Sequence, residues 1–374
     1  MFITLSCAEY FWPDIKRLLK ERFELVGLEA PDIEEDYVKL VNDYTLIIQE
    51  YFQKRVEIWL ETIGKTIFKI KHYWGRFEFA PSRGQIHLHF LAITEMLEIY
   101  KKLYEYRNDK KKQAQILQQW VEGQLRMTAS LPDLSDQKKP AKKNSANHPS
   151  NFYYSDKENL YQDSIDCLLH MQQHVCSSYC LRKRKYTEKK ESKESKCRRV
   201  CRSGAGVEIT ANSNVTPGFT KISMPKISKD LRGFNRLDLP RNSTRTVQTS
   251  LWLAQGWRAN CDIQIILYDS DPECPDPKEV GKVTDYVVAY ACKGNETLLQ
   301  EKKEIKNLIQ NAESVTDCKK DIKRLARQIL NKTVAKKLIS KQEVMVQLAK
   351  LNLTTCSESI ETVSLSGSYK LSYQ

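Results

Sequence analysis

The sequence predicts an α+β fold built on an antiparallel sheet, and three features carry that expectation. A run rich in aromatic residues from Tyr73 to Ala80 turns through Pro81-Ser82-Arg83-Gly84 into Ile86–Ala92, as a hairpin does. A β-branched run, Asp262-Ile263-Gln264-Ile265-Ile266-Leu267-Tyr268, reads as a strand that ends in a Pro-rich turn. Helical periodicity fills much of the remainder.

In chain order, residues 2–9 read as a strand, helical patterns extend from about Asp14 to Gly64, and the hairpin occupies about Phe68 to Ile93. One long helix is expected from Thr94 to Met127. The stretch from Thr128 to Ser155, with Lys138-Lys139-Pro140-Ala141-Lys142-Lys143, has the Lys, Ser, Asn and Pro content of a disordered linker. After the strand at 262–268, Asp276 as N-cap, Pro277 at the first helical position and Glu279 begin a helix that Gly294 stops. Charged helical patterning follows from Thr297 to Leu351, with Ser340 and Glu343 as a second capping box.

Two motifs carry chemistry. His87 and His89 flank Leu88 on a strand, so both imidazoles point to one face while Leu88 points to the other. That is a grip for a divalent metal, and Glu78 on the incoming strand is the expected third ligand. Two imidazoles, a carboxylate and open positions suit Mg²⁺ or Mn²⁺ acting on a phosphate. Tyr286 and Tyr290, four apart on the Asp276 helix, share a face with Lys293 close behind. They form a paired phenolic nucleophile with a cation to help deprotonation and to neutralise phosphate. An Asp262 carboxylate is a weaker metal-ligand candidate than a structural residue near a strand start.

The 374-residue chain has a formal net charge of +13, which favours a polyanionic partner, nucleic acid first. Exposed aromatics among the basic residues suit single-stranded DNA, whose unpaired bases stack on them. No segment is long and apolar enough for a membrane span, and no secretion signal opens the chain. Arg182-Lys183-Arg184-Lys185 and the Lys138 run each read as a nuclear address or a phosphate-binding patch, and a nuclear location is expected. No GxxxxGK[ST] loop occurs, so the chain carries no helicase motor of that kind. His174, Cys176, Cys180, Cys197 and Cys201 bracket a basic stretch with the short spacings of a closed, structural Zn²⁺ site, five candidates for four places.

Phe2-Ile3-Thr4-Leu5-Ser6-Cys7-Ala8-Glu9 with Trp12-Pro13, Arg76-Phe77-Glu78-Phe79, the run Arg83–His89, Trp257-Arg258-Ala259-Asn260-Cys261-Asp262-Ile263 and the run Tyr286–Gly294 together resemble the Rep-type HUH endonuclease region of Helitron transposases. The resemblance implies an antiparallel-sheet HUH nuclease core with helical insertions and a zinc-binding segment. It implies that His87 and His89 hold the catalytic metal and that Tyr286 and Tyr290 cut one DNA strand, becoming joined to its 5′ phosphate in rolling-circle transposition. Similar chains place a Cys just before Arg-x-Gly-x-Gly-x-Glu, here Arg202–Glu208, which favours His174, Cys176, Cys180 and Cys201 as the zinc set with Cys197 as the alternative.

The expected division is 1–127 as the first half of the nuclease core, 128–156 as a basic linker and 157–210 as the zinc segment, followed by 211–296 as the second half with the tyrosine helix and 297–374 as a helical C-terminal region. Helitron proteins usually continue into a helicase, so the chain reads as a fragment, a degenerate gene product or a separately retained nuclease half. Its expected partners are single-stranded DNA, transposon ends and a helicase on another or longer chain. The competing expectations are a domesticated or degenerate DNA-binding protein that no longer nicks, and a structural or chromatin-associated zinc protein without nuclease ancestry.

Overall fold

The computed structural model describes residues 1–25, 27, 37, 40–79, 85–131, 147–174, 181–183, 199–201, 224–229, 233–242, 245–291 and 341–358. Its centre is a five-stranded sheet made of segments far apart in sequence. The strands are β1 (Phe2–Ser6), β2 (Ile70–Phe79), β3 (Ile86–Thr94), β10 (Cys261–Gln264) and β12 (Thr354–Cys356), in spatial order β10-β1-β3-β2-β12, and every pairing is antiparallel.

Strand alternation gives this sheet two unlike faces. On one, Ile3, Leu5, Phe77, Leu88, Phe90 and Ile263 are buried. Helices α1 (Pro13–Leu25) and α2 (Thr45–Trp59) contribute to the same core, the latter running into a π-helical turn over Leu60–Gly64. Trp12, Phe52 and Trp257 meet there, with Trp12 and Trp257 rings edge to face at 5.5 Å and Phe52 at 5.7 Å from Trp257. Gly75, opposite Phe90 in register, is required by this packing. A Cβ there would lie 2.6 Å from Phe90 Cβ.

The expected helix from Thr94 to Met127 is instead two. Helix α3 (Leu97–Glu105) stops, and Asp109 starts α4 (Lys110–Leu117) by accepting the Lys112 backbone N–H at 2.9 Å. Periodicity alone hid the break because Asp109 sits within a polar run, where a capping aspartate looks like any solvent-facing charge. A π-helical turn over Gln118–Gln124 then leads to β4 (Met127–Thr128).

Residues 147–156 form short 3₁₀ turns, with His148 and Ser150 buried and the His148 ring stacked on Phe11 at 4.2 Å. Helix α5 (Leu160–Met171) follows, then the two-stranded ribbon β5 (Leu181–Lys183) and β6 (Arg199–Cys201). A three-stranded sheet takes β7 (Lys226–Lys229), β8 (Asn235–Asp238) and β11 (Ile266–Leu267) in the order β11-β8-β7. Strand β9 (Thr249–Ser250) pairs with β4 and leads directly into α6 (Leu251–Trp257).

The run 262–268 is not a single strand. It serves the central sheet through β10 and the small sheet through β11, with fully buried Ile265 at the crossing, its carbonyl accepting the Leu237 N–H at 3.0 Å. Helix α7 (Pro277–Ala291) begins where the sequence indicates, and α8 (Lys341–Leu348) packs Val346 into the core before β12. The 297–340 part of the expected C-terminal helical region and the Gly294 stop lie outside the described residues.

Because Gly75 lies against Phe90, Gly75→Ala is expected to lower stability by about 1–3 kcal/mol through overpacking. Thermal melting checks this, and an unchanged midpoint would refute the close packing.

Candidate metal and tyrosine site

The opposite face of the central sheet carries the polar residues. Register places His87 of β3 between Ser6 of β1 and Glu78 of β2, and His89 between Thr4 and Arg76. Cross-strand partners share a face, so Glu78 joins the two histidines without any long-range contact beyond the hairpin itself. The side chains converge. Glu78 Oε2 lies 3.5 Å from His87 Nε2 and 3.7 Å from His89 Nε2, and one ligand atom from each of the three residues falls within a 4.8 Å cluster.

This donor set fits a divalent ion. Both imidazoles present Nε2, the carboxylate supplies a hard oxygen, and all three side chains are half-buried. Among the described residues no other group of three His, Cys, Asp or Glu side chains meets the same test. The pairing of His89 with Thr4 adds orientation: Nδ1 and Thr4 Oγ1 are 2.9 Å apart. When Nε2 acts as a ligand, Nδ1 carries the ring proton and donates it to Thr4 Oγ1, which fixes tautomer and ring angle together.

Helix α7 meets this face at Phe2. Its N-terminus is fixed by Asp276, whose carboxylate accepts the Lys278 N–H at 2.8 Å. Glu279 reaches back further than a capping box requires, accepting the backbone N–H groups of Asp269 and Ser270 at 3.1 and 3.0 Å and the Ser270 hydroxyl at 2.6 Å. The helix thereby lies against the end of β11, and Val283 and Tyr286 turn inward onto Phe2 and Phe234. The Phe2 ring stacks on His89 at 5.8 Å and meets Tyr286 edge to face at 5.4 Å. Phe2 is thus the direct link between the histidine pair and the tyrosine helix.

Tyr286 is buried, 5 % exposed. Tyr290 lies in the last turn of α7, one turn beyond Tyr286, and Lys293 lies outside the described residues. Asp262 does not join the metal-ligand cluster. It is the register partner of Thr4, and burial raises its carboxyl to about 6, opposed by the Gln264 amide at 3.0 Å and by the Arg241 charge.

Of the zinc candidates, His174 is held through its backbone, with its N–H donating to the Arg245 carbonyl at 2.7 Å. Cys201 ends β6 opposite Leu181, the residue that follows Cys180 in the chain. Cys176, Cys180 and Cys197 lie outside the described residues.

Sequence reasoning missed Phe2, Thr4 and Arg76 as neighbours of the histidines. Period-two alternation along residues 2–6 puts Phe2, Thr4 and Ser6 on one face, which was a usable signal. Which strand they would face is decided only by pairing.

Residues 1–92 match the family model described as the Helitron helicase-like domain at N-terminus, a segment that contains Phe2, Thr4, Glu78, His87 and His89. The match shows that this part of the chain is similar to that domain. No curated protein and no solved structure matches the chain.

Thr4→Val removes the acceptor for His89 and is expected to weaken Mn²⁺ binding by about ten-fold or more, with Thr4→Ser retaining it. Titration calorimetry measures both, and equal affinity in all three proteins would rule out the orienting role. Asp262 binds its proton more tightly in the folded protein than at its ordinary value of 3.8, so its burial costs stability increasingly as pH rises from about 4 to about 6 and fully above that. Asp262→Asn should therefore raise Tm at pH about 7.5 and leave it nearly unchanged at pH about 4. A gain of equal size at both values would point to a cause other than titration.

Proposed function

We propose that this chain is a metal-dependent single-stranded DNA endonuclease and strand transferase of rolling-circle, Helitron-type transposition, with an HUH-type core. The observation that carries the reading is the convergence of Glu78, His87 and His89 on the sheet face where Phe2 meets both His89 and Tyr286. Glu78, His87 and His89 hold Mg²⁺ or Mn²⁺, and the bound ion supplies a Lewis acid that stabilises charge on a scissile phosphate. Thr4 holds the His89 ring at its working angle, and Phe2 keeps Tyr286 alongside.

The phenolic oxygen of Tyr286 or Tyr290 attacks phosphorus. A P–O bond to the tyrosine forms, the P–O3′ bond breaks, and the leaving 3′ oxygen ends with the proton that the phenol gave up. The product is a 5′-phosphotyrosine ester and a free 3′ hydroxyl. Attack by another 3′ hydroxyl reverses the exchange onto a new strand, so the transfer needs no nucleotide hydrolysis. Lys293 assists by neutralising phosphate. The second tyrosine allows a second cut while the first is occupied.

His174, Cys176, Cys180 and Cys201, with Cys197 as the alternative, form a structural Zn²⁺ site in this reading. What supports it is the β5–β6 ribbon, which draws the chain next to Cys180 against Cys201. Nuclear location, transposon ends as substrate and a helicase on another chain complete the proposal. The burial of Tyr286 between Phe2 and Phe234 favours one second reading, a Helitron-derived DNA-binding protein that has stopped nicking.

The deciding experiment incubates the full chain with 3′-labelled single-stranded oligonucleotides of Helitron-end-like sequence and Mn²⁺, then follows label that migrates with denatured protein. An adduct is expected, abolished by His87→Ala, by His89→Ala and by the double Tyr286→Phe, Tyr290→Phe variant. Tight DNA binding with no adduct would establish the second reading instead.

A further inference from the structure

A cavity of about 590 Å³ is bordered by both residues of β11, Ile266 and Leu267. Its size is in the range of small-molecule sites, about 300–1,000 Å³. Ile266 is the shared wall, lining the cavity while packing against the Phe2, Phe234, Val283 and Tyr286 cluster. Asn235 also lines the cavity, and its chain neighbour Phe234 touches Tyr286 at 5.1 Å between ring centres. The chamber therefore sits next to the tyrosine site without containing any of the metal-binding side chains.

Its chemistry is that of a nucleobase pocket. Tyr100, Tyr104 and Tyr268 supply three aromatic rings, and the Arg107 guanidinium lies over the Tyr104 ring at 4.2 Å. Aromatic and guanidinium planes are the surfaces on which unpaired bases stack. The acidic group in the lining is Asp269, whose carboxylate is held by the Asn235 amide at 2.6 Å and faces Lys229, also in the lining, at 3.4 Å. A carboxylate repels phosphate and accepts hydrogen bonds from exocyclic amines, so it suits the base end of a nucleotide. Phosphates find their complement at the solvent-exposed part of the lining, Arg107 and Lys110, where Lys111 and Lys112 continue the exposed basic run.

We propose that this cavity binds one unpaired, amino-bearing base (adenine, cytosine or guanine) of a DNA strand whose phosphates run along the Arg107–Lys112 segment. The inference deepens the nuclease reading and rests on it for the identity of the polymer. It places a base-reading pocket beside the tyrosine helix and gives Asp269 the discrimination against thymine, which has no exocyclic amine.

The test is binding by the full chain without added Mg²⁺ or Mn²⁺, so that no cleavage is needed and the proposed structural zinc stays in place. Fluorescence anisotropy compares oligo-dC, oligo-dT and an abasic deoxyribose-phosphate oligomer of equal length. Oligo-dC is expected to bind tighter than oligo-dT. Tyr104→Ala and Tyr268→Ala should each cost about ten-fold on oligo-dC and little on the abasic oligomer. Equal losses on both polymers, or none on oligo-dC, would overturn the proposal. So would competition by free deoxycytidine monophosphate as strong as by the oligomer, which would mark a free-nucleotide site.

Photocrosslinking of the unaltered protein to oligomers carrying 5-iododeoxycytidine needs no variant. Adducts on Tyr100, Tyr104 or Tyr268 support the pocket, and adducts confined to other peptides exclude it. The covalent-adduct assay can fail while these binding results hold, and the reverse, so the two readings fall separately.

Discussion

The two-residue repeat of β1 and β3 is the constraint on which the rest of the structure depends. Ile3, Leu5, Leu88 and Phe90 fill the core from one face, and this obliges Phe2, Thr4, His87 and His89 to share the other. A slip of one residue would bury the imidazoles against Trp59 and Phe52 and expose four large apolar side chains. Full burial of a single Leu or Ile contributes about 1.5–3 kcal/mol, so the correct register is favoured by several such terms at once. The gathering of Glu78, His87 and His89 on one face is a consequence of core packing, to which Thr4 adds the ring orientation of His89.

A second group of contacts fixes the sheet's β10 edge. The segment Trp257–Ile263 acts as a brace: Trp257 Nε1 donates to the Ser6 carbonyl at 2.8 Å, and Trp12 Nε1 donates to the Arg258 carbonyl at 2.9 Å. Arg258 stands in the left-handed region at φ 59° and sends its guanidinium to Asp163 of α5 at 2.6 Å, both side chains almost fully buried. Removing either partner would strand a charge in the core. The Asn260 amide donates to the Met171 carbonyl at 2.9 Å, so α5 is tied to the strand that pairs with Thr4.

The histidine pair, its Glu78 neighbour and the start of the tyrosine helix were legible because each depends on residues close in sequence. A hairpin brings Glu78 opposite His87, and Asp276 caps a helix two residues away. What stayed hidden depends on pairing between distant segments. Thr4 meets His89 across 85 residues, and nothing local to either announces it. The split of 262–268 between two sheets is invisible for a related reason. A continuous β-branched run satisfies one strand or two equally well, and only the competing demands of β1 and β8 put the crossing at Ile265.

The same split explains why the cavity and the tyrosine cluster share a wall. Once β10 is committed to β1, Ile265 is buried and the chain must leave the central sheet, carrying Ile266 to β8. Ile266 then packs toward Phe2 and Tyr286 while Leu267 and Tyr268 border the open chamber. Glu279 closes the circuit by binding the backbone at Asp269 and Ser270, so the start of α7 is anchored to the residues that line the cavity. The chamber lining and the helix that carries the phenol are thus joined by two short connections, the Ile266 side chain and the Glu279 carboxylate.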